Sequence, residues 1–162
     1  MKKLGMILLS IFTLEVIIAG CSDKSGGNEL KDNLSLKDVI TKVEEAAPMQ
    51  MPMEADEEMA KDIYHLNLDD IEDYYIKSAM VMNSADNTVI VKAKEGKVDD
   101  VKKSLENRLL DVQKSFEQYL PDQKEKAANG KILVKGNYVI LLINDDIKAA
   151  EKAVYSCFET KK

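Results

Sequence analysis

One histidine and two cysteines in 162 residues close off most metal and thiol chemistry at the outset. His65 has no second histidine with which to form the paired-histidine helix motif of zinc proteases. There is no Gly-x-Ser-x-Gly elbow, no Ser-x-x-Lys stretch and no glycine-rich cradle for phosphate. None of the acidic clusters has the Asp-x-Asp-x-Asp-Gly spacing that wraps a calcium ion. These absences point away from an enzyme and leave no cofactor to expect. His65, next to Tyr64 at the end of a helical pattern, is expected to be a surface or capping residue. Acid also outweighs base: 29 Asp and Glu against 23 Lys and Arg give a formal net charge of −6, which speaks against nucleic acid, whose binders present basic faces.

What the chain does have begins at its first residue. Lys2 and Lys3 precede a mostly apolar run from Leu4 to Ile18, broken only by Glu15. The run is short for a bilayer span of about 20 residues and has the order of a secretory signal peptide. It ends in Ile18-Ala19-Gly20-Cys21, which resembles the lipobox of bacterial lipoproteins: an aliphatic residue, two small residues and a cysteine. That resemblance implies a diacylglyceryl group on the Cys21 thiol, cleavage just before it, and a protein held on the extracytoplasmic face of the cell membrane. Two acyl chains suit the task, because each buried methylene contributes about 0.8 kcal/mol and one chain alone holds only marginally. Cleavage would remove two lysines and one glutamate, turning the formal charge of −6 into −7, so no basic patch adds an electrostatic grip on anionic lipid. Cys157 is then the sole remaining thiol. It shares a helical face with Ile147, Ala150 and Val154 and is expected as a buried small hydrophobe, with no disulfide open to it.

Three segments follow: residues 1–20 as signal peptide, 21–33 as lipidated cysteine and flexible tether (SDKSGGNELKDN after the cysteine), and 34–162 as a single globular α+β domain. Ser35 looks like a helix N-cap ahead of the stripe Leu36, Val39, Ile40 and Val43. Pro48 and Pro52 exclude a helix between them, and helical spacing resumes near Asp56 with Met59, Ile63 and Leu66. The period then changes to two: Tyr74, Ile76 and Ser78 alternate with Tyr75, Lys77 and Ala79, and residues 87–94 alternate again after a turn at Ser84–Asn87. Val98, Val101, Leu105, Leu109, Val112, Phe116 and Leu120 spell a long amphipathic helix, with a break at Pro121. Residues 131–135 and 138–144 form a second strand pair across Gly136-Asn137, the latter strand apolar on both sides and therefore interior. A last helix starts at Asp145. The expected architecture is a mainly antiparallel four-stranded sheet with helices packed on one face, and the order helix, strand, strand, helix occurs twice, as in a pseudo-repeat.

Two segments attract functional attention. Asp69, Asp70, Glu72 and Asp73 place four acids in five positions, more than helix capping requires, and mark a candidate surface for a cation, a ligand or a basic partner. Met49, Met51 and Met53 alternate in a proline-broken link; thioethers suit Cu(I), and an extended chain would set all three on one side, although packing over a sheet is the favoured role.

Over residues 35–158 the chain also resembles an uncharacterised domain of small Gram-positive lipoproteins, the domain of unknown function 4358 family. The resemblance rests on LDDIEDYYIKSAMV (68–81), IVKAKEGKVDDVKKSLENRL (90–109), QKSFEQYLPDQ (113–123) and KGNYVILLI (135–143). It implies a lipid-anchored extracytoplasmic domain and carries no catalytic or binding residues across. The expectation is a non-enzymatic binding or accessory module of the cell envelope, contacting an unknown protein or small ligand. Its rivals are an acid-based enzyme acting on a cell-envelope substrate through residues 69–73, and a Met-rich Cu(I)-binding protein.

Overall fold

The computed structural model of the protein describes residues 28–79 and 81–159. The signal segment, Cys21 and the first part of the tether lie outside the described residues.

Ser35 caps the first helix, α1 (Leu36–Ala46), through a reciprocal box: its hydroxyl accepts from the Asp38 amide while Asp38 accepts from the Ser35 amide at 2.7 Å. All four stripe residues of α1 are buried. A short strand, β1 (Pro52–Glu54), precedes α2 (Glu57–Asp62), which Asp56 caps through the Met59 amide at 2.8 Å. After a single 3-10 turn come β2 (Ile71–Ala79) and β3 (Asn87–Ala93), then the long α3 (Val98–Ser115) and α4 (Pro121–Ala128). The chain closes with β4 (Lys131–Lys135), β5 (Tyr138–Ile143) and α5 (Ile147–Ser156). None of the described helices is long and apolar enough to cross a membrane.

The sheet has five strands in the order β1-β2-β3-β5-β4, all antiparallel, and not the expected four. The additional strand is the proline-containing link. Proline excludes helix but is tolerated at the first residue of an edge strand, and Pro52 holds that place opposite Ala79.

The helices also cover both faces rather than one. Val139, Leu141 and Ile143 point into a core with Val89, Val91, Val101, Leu105, Val112 and Ala127, beneath α2, α3 and α4. Ile140 and Leu142 point the other way, into a core with Leu36, Val39, Ile40, Ala150, Val154 and Cys157, beneath α1 and α5. A strand that is apolar on both sides needs a cover on both sides, and each uncovered leucine or isoleucine would cost about 1.5–3 kcal/mol. Because α3 packs on one face and α5 on the other, the likeness between the two halves does not extend to how they pack.

Helix α2 is shorter than its pattern suggests and turns a different side inward: Ala60 and Tyr64 are buried while Ile63 is exposed. His65 leaves the helical path with φ 57°. The β4–β5 turn needs glycine at 136, where φ is +54° and a Cβ would stand 2.7 Å from the Asn28 carbonyl oxygen. Residues 28–31 run alongside the end of the chain there. Leu30 bridges Phe158, the Lys31 amide donates to the Cys157 carbonyl at 2.9 Å, and the Glu159 amide donates to the Glu29 carbonyl at 3.0 Å.

Candidate functional site

At the end of the sheet where β2 stops and β3 starts, the connection between them stands away from α3 and leaves a cleft of about 720 Å³. That lies within the range of small-molecule sites, roughly 300–1,000 Å³. Ser78 and Asn87, opposite each other in the β2–β3 register, form its floor, and period-two alternation points both side chains toward α3. Val112 and Phe116 supply an apolar wall from α3 and its end, faced by Val81 and Met82 from the connection. Met82 is 99% exposed, on the rim of the cleft.

The distinctive wall residue is Arg108. Its guanidinium lies over the Tyr64 ring, 4.9 Å from the centroid, and donates to the Asn87 side-chain oxygen from Nε at 3.4 Å and from Nη2 at 3.2 Å. The buried Tyr64 hydroxyl donates to that same oxygen at 2.7 Å. Burial raises the Tyr64 pKa, against the lowering effect of the nearby guanidinium, so the phenol is a neutral donor. Among the described residues no carboxylate forms an ion pair with Arg108. Asp111, one turn further along α3, spends its carboxylate on His65 at 2.6 Å. A guanidinium sharing one neutral amide oxygen at 3.2–3.4 Å is poorly matched, since charge-assisted bonds to carboxylates run about 2.7–2.9 Å and are about twice as strong.

The back of the cleft is braced by a buried ion cluster. Asp86, 2% exposed, takes the Lys126 ammonium at 2.9 Å, and Asp145 takes the same ammonium at 2.9 Å. Burial alone would lower the Lys126 pKa, but the bonds to Asp145 and Asp86 outweigh it and the net direction is upward. The charge of Asp86 is thus neutralised from behind. The Ser84 hydroxyl also donates to Asp86 at 2.6 Å, which folds the connection over itself.

The segments singled out from the sequence lie elsewhere. Two of the four acids of 69–73 are ion-paired with lysines. Asp70 pairs with Lys97 at 2.9 Å, and that bond is the main reason its pKa falls. Glu72 pairs with Lys92 at 2.6 Å, the Asp69 carbonyl accepts from Lys94 at 2.6 Å, and Asp73 accepts from the Tyr74 amide at 2.8 Å. They do not converge on a common point; the register irregularity between Ile71 and Asp73 separates them. The methionines do not share a side either. Met49 is buried and Met51 is 61% exposed, because Met51 has φ 47° and the chain turns there instead of running extended. Met53 lies in β1, half-buried. Among the described residues no three His, Cys, Asp or Glu side chains gather in a metal-binding cluster.

His65 is at the surface, as expected. Cys157 is buried, its thiol donates to the Ala153 carbonyl at 3.3 Å, and burial raises its pKa. Neither reaches the cleft.

Arg108, Asn87 and Tyr64 were not singled out as site residues from the sequence, although one signal was available. Arg108 is the sole arginine among the 23 lysines and arginines, and it occupies the apolar stripe itself, three residues after Leu105 and four before Val112. A cation at that spacing faces inward and needs a purpose there.

No curated protein and no solved structure matches the chain. The sequence pattern of one family does match, over residues 45–144. That segment contains all five strands together with α2, α3 and α4, and therefore the whole cleft. It covers more than half of the sequence, so the chain belongs to the family described as Domain of unknown function (DUF4358).

Proposed function

We propose that this chain is a lipid-anchored, extracytoplasmic binding module that takes a small ligand in the cleft between α3 and the β2–β3 connection. The observation that carries the reading is Arg108: a guanidinium on the wall of a cleft of ligand size, held in position by Tyr64 and Asn87, with no carboxylate ion-paired to it among the described residues. Holding an arginine in one rotamer costs side-chain entropy, and a ligand group that completes its hydrogen bonds gives that cost a return. The lipobox resemblance at Ile18–Cys21 supplies the address. A binding role is supported over acid–base chemistry because Asp70 and Glu72 are ion-paired with lysines and the four acids are spread over a 3-10 turn and the start of β2.

The test has two arms. Cys21→Ser should yield a protein that is neither lipidated nor processed as a lipoprotein and no longer partitions into detergent; unchanged processing and partitioning would sink the anchor. For the cleft, the lipoprotein is purified from its own membranes alongside Ser115→Trp, in which an indole on an exposed α3 position overhangs the cleft. Solvent extraction and mass spectrometry should find a small molecule with the native protein that is depleted from the variant. Identical extracts would count against the cleft as a binding site.

A further inference from the structure

Within that binding reading, on which this step rests, we infer that the cleft selects a monoanionic organic acid: one carboxylate against Arg108, with an apolar body along Val112, Phe116 and Met82. Three features of the site carry this.

The first is the count of charges. Arg108 is the cation facing the cleft, while Lys126 is spent behind it on Asp86 and Asp145. One guanidinium balances one negative charge. A phosphate monoester brings nearly two, on a protein of net charge −6, and the second charge has no second cation lining the cleft to meet it.

The second is shape. The guanidinium is planar, and its two outer nitrogens match the two oxygens of a carboxylate, a fit that an ammonium does not reproduce. Tyr64 holds the plane from one side and Asn87 holds one edge, so the fork is oriented before a ligand arrives and less freedom is lost on binding. Arginine is used here by a chain whose other basic side chains are lysine or histidine.

The third is the division of the walls. The lining is mixed: Asn87 holds the guanidinium, with Ser78 opposite it in the strand register, while Val112, Phe116 and Met82 supply apolar lining. A ligand with one polar end and an apolar remainder satisfies both; a sugar or a simple inorganic anion leaves the apolar side wet.

A single arginine also gives a direct readout, because the full-length lipoprotein in detergent micelles has one guanidinium Nε–H signal in a proton–nitrogen correlation spectrum. We use 3-phenylpropionate, its neutral amide 3-phenylpropanamide, and phenyl phosphate as probes. The carboxylate should shift the Arg108 signal saturably, and the amide should bind at least about tenfold more weakly, as expected for loss of a charge-assisted bidentate pair. Phenyl phosphate should also bind more weakly than the carboxylate. Arg108→Lys keeps the charge without the fork and should weaken the carboxylate by about tenfold while leaving the melting temperature close to that of the native protein. If that variant fails to fold, the titration of the native protein decides alone. An amide that binds as tightly as the acid and is blocked by Ser115→Trp would overturn the carboxylate assignment and leave the binding reading intact. A phosphate that binds more tightly would do the same. No shift with any probe overturns the assignment, and joined to identical extracts from native protein and Ser115→Trp it removes the binding reading as well.

Discussion

The two faces of the sheet are built from the same strands and yet differ in kind. Under α1 and α5 the core is almost wholly apolar: Ile40, Ile90, Ile140, Leu142, Val154, Cys157 and Phe158 meet there, Tyr138 closes against Phe158 in an edge-to-face pair 5.4 Å apart, and the one buried charge on its β4 side, Lys135, lies 4.4 Å from the Tyr155 ring centroid. Under α2, α3 and α4 an apolar core of similar extent is interrupted at one end by Tyr64, Asn87, Arg108, Asp86 and Lys126, and that end is where the cleft opens. Buried polar groups are costly unless each finds a partner. Here every buried side-chain nitrogen and oxygen among the described residues has one. The first face holds the sheet; the second holds it and opens the cleft. The family pattern follows the same division, since its residues 45–144 include the helices of the cleft face but only the end of α1 and none of α5.

The largest effect expected from breaking this contrast is on the ion cluster. Lys126→Met should cost about 3–5 kcal/mol in urea denaturation, because it strands the Asp86 charge at 2% exposure. Adding Asp86→Asn to the same chain should recover much of that loss; no recovery would mean that Lys126 contributes through packing alone. The next effect compares neighbours on β5. Leu141→Ala and Leu142→Ala each empty a fully buried position and should each cost about 2–5 kcal/mol. Only Leu141→Ala, on the cleft face, should move the Arg108 Nε–H signal. Equal movement in both variants would show that the faces are not separable.

A subtler effect belongs to Cys157 on the α1–α5 face. Burial raises its pKa and so lowers its reactive thiolate fraction. A thiol reagent should therefore label the native domain at least about a thousandfold more slowly than the unfolded chain, the factor set by an opening free energy of roughly 5 kcal/mol. Similar rates in the two states would place the thiol at the surface.

The smallest effect concerns Asp111, whose pKa is lowered first by its bond to His65. A depressed folded-state pKa gives stability that is complete above the unfolded value and is lost as pH falls through the folded one. Asp111→Asn should thus reduce stability near neutrality and converge with the native protein in strong acid. With the two side chains 40% and 45% exposed, the difference should stay under about 1 kcal/mol. Curves that stay parallel down to the lowest pH would remove the ionic contribution.

How far this could be read from residue order depends on what each pattern encodes. Helices α1, α3 and α5 announce themselves because stripes such as Leu36, Val39, Ile40 and Val43 have one periodicity and one solution. The two-sided burial of β5 was equally plain, but its consequence for the architecture was missed: six consecutive apolar residues imply two covering layers, not one. Strand β1 could not be seen at three residues, since its pairing with β2 is a long-range event and its proline argues only against helix. The cleft depends on where the β2–β3 connection stands relative to α3, which no local pattern specifies. Arg108 alone broke the pattern it sat in, and the acids of residues 69–73 drew attention by number while Lys92 and Lys97, which pair with Glu72 and Asp70, lie far along the chain.

The strap of residues 28–31 against the end of the chain has a bearing on what can reach the cleft. It lies beside the β4–β5 turn, at the end of the strands opposite Asn87, and the five steps from Asn87 to Lys92 span about 17 Å at 3.3–3.4 Å each. For a chain anchored at Cys21, the seven steps to Asn28 reach at most about 25 Å. If the chain is so anchored, the strap end would be leashed close to the lipid headgroups, and the mouth of the cleft would lie a strand's length further from the point of attachment. Such an arrangement favours molecules arriving from the aqueous side over those diffusing laterally within the bilayer. The anchor would then act as a mooring that keeps the site at the cell surface without turning it toward the lipid.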